Sequence, residues 1–197
     1  MSPLLWLSHL KRQFRNGQNR KMRLRGKRNQ QHRSAAAVQA SPQMAETLED
    51  RILLTAFIVM NTDDSGAGSL RDAIEQANAN AGADTITFDA SLAGQSIVLS
   101  TELQITDDLT VTGLGSDLLT LDGNGDSQIF QVDDGVFNNA ITVEISGLTL
   151  TNGSGDRGGA IFNQETLSII DSTLSGNTAS LNGGAISNYY GDLSVQN

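Results

Sequence analysis

The chain has 197 residues and a formal net charge of −9, which conceals two segments of opposite charge. Residues 1–33 hold ten of the thirteen Lys and Arg residues and no Asp or Glu, whereas residues 34–197 hold all 22 acidic residues. The absence of cysteine excludes disulfides, Cys-ligated zinc and a thiol nucleophile. His9 and His32 are the only histidines, so residues 34–197 lack an imidazole base, a His-ligated metal site and a Ser-His-Asp triad.

Residues 1–46 form a basic leader with little apolar periodicity, which we expect to be largely disordered. Targeting is the favoured interpretation of this leader, and contact with nucleic acid or anionic lipid is the alternative. We expect no nucleic-acid partner, because no stacking aromatics or binding fold accompany the charge. We also expect no transmembrane segment, because no stretch approaches the ~18 apolar residues that a membrane-spanning helix needs.

Residues 47–56, TLEDRILLTA, are a candidate processing or sorting segment. They resemble the LEPR-XLL-type N-terminal motif of large bacterial surface proteins, with Asp50 in the place of the motif's proline. The matching residues are Leu48, Glu49, Arg51, Leu53 and Leu54. The resemblance implies export to the cell envelope. The next stretch, Phe57–Thr62, is predicted to be the first β-strand.

A single helix is predicted after this strand. Ser69 and Asp72 are spaced like a capping box, with Asp in place of the usual Glu. Apolar residues then recur on one helical face, at Leu70, Ala73, Ile74 and Ala77. Asn78–Asn80 and Gly82 are predicted to end the helix. We expect it to cover one end of a β stack, with Arg71 in a structural role.

The stretch GSLRDAIEQAN resembles the CSLREA motif found at the start of many bacterial parallel β-helix proteins. Gly68 replaces the motif's cysteine and Asp72 its glutamate. The matching residues are Ser69, Leu70, Arg71 and Ala73. The sequence that follows is also typical of that group. The resemblance implies a right-handed parallel β-helix over residues 57–197.

An internal repeat supports the same fold independently. GGAIFN at 158–163 recurs as GGAISN at 183–188, and VEISGLTLTN at 143–152 aligns with LSIIDSTLSG at 167–176. A fixed period of this size indicates stacked repeats. Each copy has three short strand-like pieces separated by Gly, Asn, Asp or Ser. We therefore predict an all-β parallel β-helix with three short strands per coil of ~24 residues, whose right-handed sense is implied by the resemblance alone.

The alignment also predicts which residues stack on one another. Equivalent positions are Ile145, Ile169 and Val195; Leu150 and Leu174; Ile161 and Ile186; and Asn163 and Asn188. Alternation along the strands places Ile145 inside and Ser146 outside. Asn163 and Asn188 could form a short amide ladder. The pairs Gly158–Gly159 and Gly183–Gly184 are expected to occupy turns that a side chain would obstruct.

No catalytic residues are predicted. After residue 56 the only cations are Arg71 and Arg157, and Lys and His are absent. Arg157 is interpreted as part of a solvated turn, GSGDRGG, beside Asp156. NTDD at 61–64 resembles part of the aspartate cluster of β-helix hydrolases, but the accompanying motifs are missing. The pair Asp133–Asp134 has no partner that the sequence identifies.

Calcium is the one candidate cofactor. DGNGDSQIFQVD at 122–133 places oxygen ligands at the spacing of a calcium loop, namely Asp122, Asn124, Asp126 and Asp133. The same residues are also ordinary turn formers, and residues 129–132 read as a strand, which could not curl as half of a calcium loop. Both interpretations remain open at this point.

The function that we expect is non-enzymatic: a secreted or cell-surface β-helix that acts as a stalk, an adhesin or a ligand-presenting surface. The phrases GGAI and SGNTAS resemble polymorphic outer-membrane proteins, whose surface β-helices are adhesive. The sequence does not identify a partner, and polysaccharide and surface proteins are the candidates; the cell envelope, cell surface or exterior is the expected location. The alternative is the N-terminal fragment of a β-helix polysaccharide lyase or hydrolase with its catalytic coils downstream.

We also expect the chain to be part of a longer repeat protein, because it stops within a predicted strand.

Overall fold

The computed structural model describes residues 54–136 and 140–197. The basic leader, residues 1–46, lies outside the described residues, as does most of the LEPR-XLL-like segment. The predicted first strand is confirmed, although it begins and ends earlier than expected, at Ala56–Val59.

The described residues form short strands, one α-helix and one short 3₁₀ helix at Ala90–Leu92. The α-helix, α1, spans Leu70–Ala79. The strands in chain order are β1 Ala56–Val59, β2 Asp84–Phe88, β3 Gln95–Val98, β4 Leu103–Ile105, β5 Leu109–Thr112, β6 Leu119–Asp122, β7 Phe130–Val132, β8 Thr142–Ser146, β9 Thr149–Thr151, β10 Ser154–Arg157, β11 Ile161–Asn163, β12 Thr166–Ile170, β13 Thr173–Ser175, β14 Thr178–Asn182, β15 Ile186–Asn188 and β16 Asp192–Gln196.

The strands stack into a parallel β-solenoid of about five turns. Strands β2–β4, β5–β7, β8–β11 and β12–β15 form four successive coils, and β16 begins the next. Each strand hydrogen-bonds to its counterparts in the neighbouring coils, which gives one long sheet in the order β1-β2-β5-β8-β12-β16. Two four-stranded sheets, β3-β6-β9-β13 and β4-β7-β11-β15, form the other walls. The predicted all-β parallel architecture is confirmed, and its right-handed sense stays a prediction.

The predicted stacking of equivalent residues is also confirmed. Ile169 pairs with Ile145 on one side and with Val195 on the other. Leu174 pairs with Leu150, and the two GGAI copies pair in register. Ile145 and Leu150 are completely buried, whereas Ser146 is only partly covered. Like residues therefore stack on like, and each buried aliphatic side chain contributes about 1.5–3 kcal/mol.

The third and fourth coils each contain a fourth strand that was not predicted. Strand β10 pairs in parallel with β14, and Arg157 lies at the end of β10. The interpretation of GSGDRGG as a turn is therefore wrong for residues 154–157. The segment lacks the alternating apolar residues that indicate a strand, yet its backbone N–H and C=O groups are paired with the next coil.

Helix α1 lies against β1, β2 and β4, as expected of a cover for the end of the stack. The Ser69 hydroxyl oxygen accepts a hydrogen bond from the Asp72 backbone N–H at 3.1 Å, and the Asp72 carboxylate accepts one from the Gly68 N–H at 3.2 Å. Such a cap stabilises a helix by about 1 kcal/mol. The four residues predicted on its apolar face are all buried. The predicted start, buried face and position of the helix are therefore confirmed.

Gly158, Gly159 and Gly183 occupy sites that exclude a side chain, as predicted, whereas a Cβ atom at Gly184 would meet only the Asn177 carbonyl oxygen at 3.4 Å, an ordinary contact. Gly158 has φ of +69°, and a Cβ atom there would collide with the carbonyl oxygen of Ile161. A Cβ atom at Gly159 would collide with the carbonyl oxygen of Gly184. These glycines allow the turn that precedes β11 to approach the next coil.

Candidate functional site

Three carboxylates form a cluster at one corner of the solenoid. Asp133 and Asp134 follow β7, and Glu165 lies between β11 and β12, so the pairing of β7 with β11 brings them together. One carboxylate oxygen from each residue lies within 4.8 Å of the others. The Glu165 residue is only 5% exposed, whereas the two aspartates are partly exposed. Glu165 is thus the partner of Asp133–Asp134 that the sequence did not identify.

Glu165 also fixes the backbone that follows β7. Its carboxylate accepts hydrogen bonds from the backbone N–H of Asp134 at 3.4 Å and of Ile141 at 3.2 Å. Burial raises the pKa of Glu165, those two hydrogen bonds oppose the rise, and the charges of Asp134 and Asp133 add to it. Three carboxylate groups are hard oxygen ligands, so this geometry could hold a divalent cation.

The four candidate calcium ligands lie in three different places. Asp122 ends β6, and its carboxylate accepts hydrogen bonds from the Asn124 backbone N–H at 2.8 Å and the Asn152 side-chain amide at 3.0 Å. Asp122 and Asn124 line a cavity of about 360 Å³, whereas Asp126 lines a different one. Asp133 lies beyond β7 in the carboxylate cluster. Calcium binding by these residues stays a prediction.

Arg71 ties the helix to the first coil. Its guanidinium donates to the backbone carbonyls of Asp64, Thr101 and Glu102 and to the Asp64 carboxylate, at 2.8–3.1 Å. Burial raises the pKa of Asp64, but hydrogen bonds from Arg71 and Ser100 and the Arg71 charge outweigh it and lower that pKa. The expected structural role of Arg71 is consistent with these contacts, which use much of its donor capacity.

Arg157 has a different environment from the one predicted. Its guanidinium carbon lies 5.0 Å from the centre of the Tyr189 ring, a cation–π distance. The Tyr189 ring is stacked with Phe162 at 6.4 Å and contacts Tyr190 at 4.2 Å between ring centres. Asp156 instead accepts a hydrogen bond from the Ser180 hydroxyl at 2.8 Å.

This aromatic group was missed because its members come from separate coils. The signal in the sequence is that the only two tyrosines of the chain directly follow GGAISN, the second copy of the repeated phrase. The aromatic residues are brought together by strand pairing, because β11 pairs with β15 and places Phe162 and Tyr189 at neighbouring levels of the stack.

A groove of about 550 Å³ lies beside this aromatic group, and we call it the side groove. Its walls are formed by residues of β7, β10 and β11 and by the turn before β7. The residues that line it include Glu102, Asp126, Gln131, Asp156, Arg157 and Phe162. The side groove therefore combines one aromatic ring with both charged and neutral polar side chains.

The solenoid and its surface define a class, the parallel β-helix repeat proteins, and the comparisons with known proteins agree with that class. Residues 171–189 match the family of the Chlamydia polymorphic membrane protein repeat. This stretch runs from the end of β12 to Tyr189 and so covers most of one coil. No curated protein shows significant similarity to the chain. The repeat match and the stacked coils together support a surface β-helix repeat protein.

Among residues 54–136 and 140–197, no helix is long and apolar enough to cross a membrane.

Proposed function

We propose that the chain is a non-enzymatic, exported β-helix that presents a binding surface at the cell surface or outside the cell, as an adhesin or stalk. The observation that carries this proposal is the repeat match on residues 171–189 within a continuous stack of parallel coils. Stacked coils create long, regular side faces, and such solenoid surfaces are well suited to binding extended partners.

The distribution of cations supports a binding role over catalysis. Lys and His are absent after residue 33, and Arg71 is engaged by the Asp64 carboxylate and three backbone carbonyls. Arg157 lies over an aromatic ring. A carbohydrate lyase needs a base to remove a proton from the sugar, and neither arginine suits that role, because the guanidinium group stays protonated at neutral pH.

Localisation tests the proposal in the source organism. Antibodies raised against the solenoid should label intact cells, and deletion of residues 1–46 should abolish the labelling. The circular dichroism of the purified deletion variant should remain that of a β protein. Labelling only after the cells are permeabilised would contradict the proposal.

Activity assays test the enzyme alternative. The full chain should release neither reducing ends nor unsaturated sugars from pectin, alginate or cellulose. Sustained turnover that is lost on substitution of a residue within the solenoid would favour the lyase or hydrolase instead.

A further inference from the structure

We propose that the side groove binds a neutral glycan, with one sugar ring stacked on Phe162 and its hydroxyl groups hydrogen-bonded to the surrounding polar side chains. This inference rests on the proposed function, because it names the class of ligand that the exported surface would bind. The groove volume of about 550 Å³ lies within the usual range for small-ligand sites, roughly 300–1,000 Å³.

The first argument is the accumulation of aromatic side chains. Phe162 lines the side groove, and Tyr189 extends the aromatic surface beside it. Tyr189 and Tyr190 are 40% and 80% exposed, although aromatic rings are costly to leave in water. Tyr190 also has φ of +72°, a left-handed conformation that is strained for a bulky residue and that tends to occur at functional sites.

The second argument is that the polar side chains are available to a ligand. Within the described residues, no hydrogen bond from or to the side chains of Glu102, Asp126 or Gln131 is present. The Arg157 guanidinium lies over the Tyr189 ring, whereas the Asp156 carboxylate already accepts a hydrogen bond from the Ser180 hydroxyl. Carboxylate, amide and guanidinium groups can each make paired hydrogen bonds with neighbouring hydroxyl groups. Aromatic rings supply an apolar surface for the C–H face of a sugar. The two kinds of group together suit a polyhydroxylated ring.

The third argument concerns charge. Three carboxylates, on Glu102, Asp126 and Asp156, line the side groove together with one cation, Arg157. An acidic polysaccharide would be repelled by this excess of negative charge, and the acidic residues 34–197 would add to the repulsion. A neutral glycan avoids this repulsion and can use both kinds of charged group, because hydroxyl groups can donate to the carboxylates and accept from the guanidinium.

Binding of defined sugars to the purified full chain tests the inference. The probes are cellohexaose, maltohexaose and chitohexaose as neutral glycans, and polygalacturonate and alginate as acidic ones. At least one neutral hexamer should bind, and Phe162→Ala should weaken its affinity at least ten-fold by isothermal titration. Because Phe162 is partly buried, Gln131→Ala serves as a second variant that leaves the core unchanged, and it should weaken binding about five-fold.

Gln95→Ala is the matched control, since Gln95 is an exposed glutamine on β3 in a different sheet. It should bind like the wild type.

Three results would each overturn the inference: binding only to the acidic polymers, no binding to any hexamer, or binding that neither groove variant weakens. A chain that labels the cell surface but binds no hexamer would retain the proposed function and lose only the glycan. The chain could instead bind a host or bacterial protein and no glycan. If Phe162→Ala abolished that protein binding, the groove would be assigned to a protein partner.

Discussion

Asn163 donates a hydrogen bond from its side-chain amide to the amide oxygen of Asn188, one coil further along the stack, at 2.6 Å. Asn163 is completely buried, and it also exchanges hydrogen bonds with both backbone groups of Glu165, at 2.8 and 3.2 Å. The same side chain therefore joins two coils and holds the carboxylate cluster in place. The amide ladder predicted from the repeat is confirmed by this contact.

We expect Asn163→Ala to lower the free energy of unfolding by about 2–3 kcal/mol, because the Glu165 backbone N–H loses its acceptor and the Glu165 carbonyl keeps only the Asp192 N–H. Asn188→Ala should cost less, about 1 kcal/mol, because Asn188 is exposed. Chemical denaturation of the single and double variants measures both effects. The double variant should be more stable than the sum of the single effects suggests. Strict additivity would show that the ladder hydrogen bond contributes nothing.

Two glycines with similar backbone angles should respond very differently to substitution. Gly158 and Gly125 have φ of +69° and +77°, but only at Gly158 would a Cβ atom collide with backbone, whereas the space at Gly125 is open. Gly125→Ala should cost about 1–2 kcal/mol for the left-handed conformation alone. Gly158→Ala should lower the melting temperature much more or prevent folding. Equal melting temperatures for the two variants would contradict the steric explanation.

Arg71→Ala should destabilise the helical end of the solenoid. The change removes charge-assisted hydrogen bonds to Asp64, Thr101 and Glu102, so we expect a loss of about 2–4 kcal/mol in unfolding experiments. Arg71→Lys should recover only a minor part, because an ammonium group cannot reproduce the guanidinium fork. Arg157→Ala is the control, as it removes an arginine without such contacts, and it should cost less than about 1 kcal/mol.

The Arg71–Asp64 pair also makes a prediction about pH. The folded-state pKa of Asp64 is lowered, which means that its charged carboxylate stabilises the fold. This stabilisation is present above the unfolded-state pKa of Asp64 and is lost as pH falls through the folded-state pKa. The stability difference between wild type and Arg71→Ala should therefore shrink on acidification. A difference that stays constant down to about pH 3 would show that Asp64 does not respond to Arg71.

Glu165 should give the opposite dependence on pH. The folded-state pKa of Glu165 is raised, which means that folding favours its protonated form. The stability that this form contributes is fully present below the unfolded-state pKa and is lost as pH rises through the folded-state pKa. The stability of the wild type relative to Glu165→Gln should decrease over the range from about pH 4, the ordinary pKa of a glutamate, up through the folded-state pKa. Denaturation in the presence of EDTA measures this difference without interference from metal ions. A relative stability that rises over this range would mean that Glu165 is stabilised in its charged form.

Periodic sequence made much of the fold predictable. In a solenoid, residues one period apart become neighbours, so the alignment of Ile145 with Ile169 was also a prediction of contact, and it is confirmed. The helix was predictable for a local reason, because Ser69 and the apolar face of α1 are close together in the sequence.

The contacts in the candidate sites could not be predicted from the repeat, because they depend on residues that depart from its regular spacing or that meet only across coils. Extra residues between β7 and β8 interrupt the regular spacing, and the carboxylate cluster lies at that interruption, where Glu165 meets Asp134. Strand β10 was misjudged because Gly155 and its polar neighbours resemble a turn until the next coil provides hydrogen-bond partners. The contact of Arg157 with Tyr189 likewise required the register of the coils.

The scarcity of basic side chains also determines how the solenoid responds to reagents. All three lysines of the chain lie within residues 1–33, and the guanidinium group of Arg71 is held by the Asp64 carboxylate. Trypsin-like proteases thus find one exposed target in the described residues, Arg157. Reagents that modify lysine amines find none after residue 27. A protein exposed to digestive proteases outside the cell would gain durability from this composition alone.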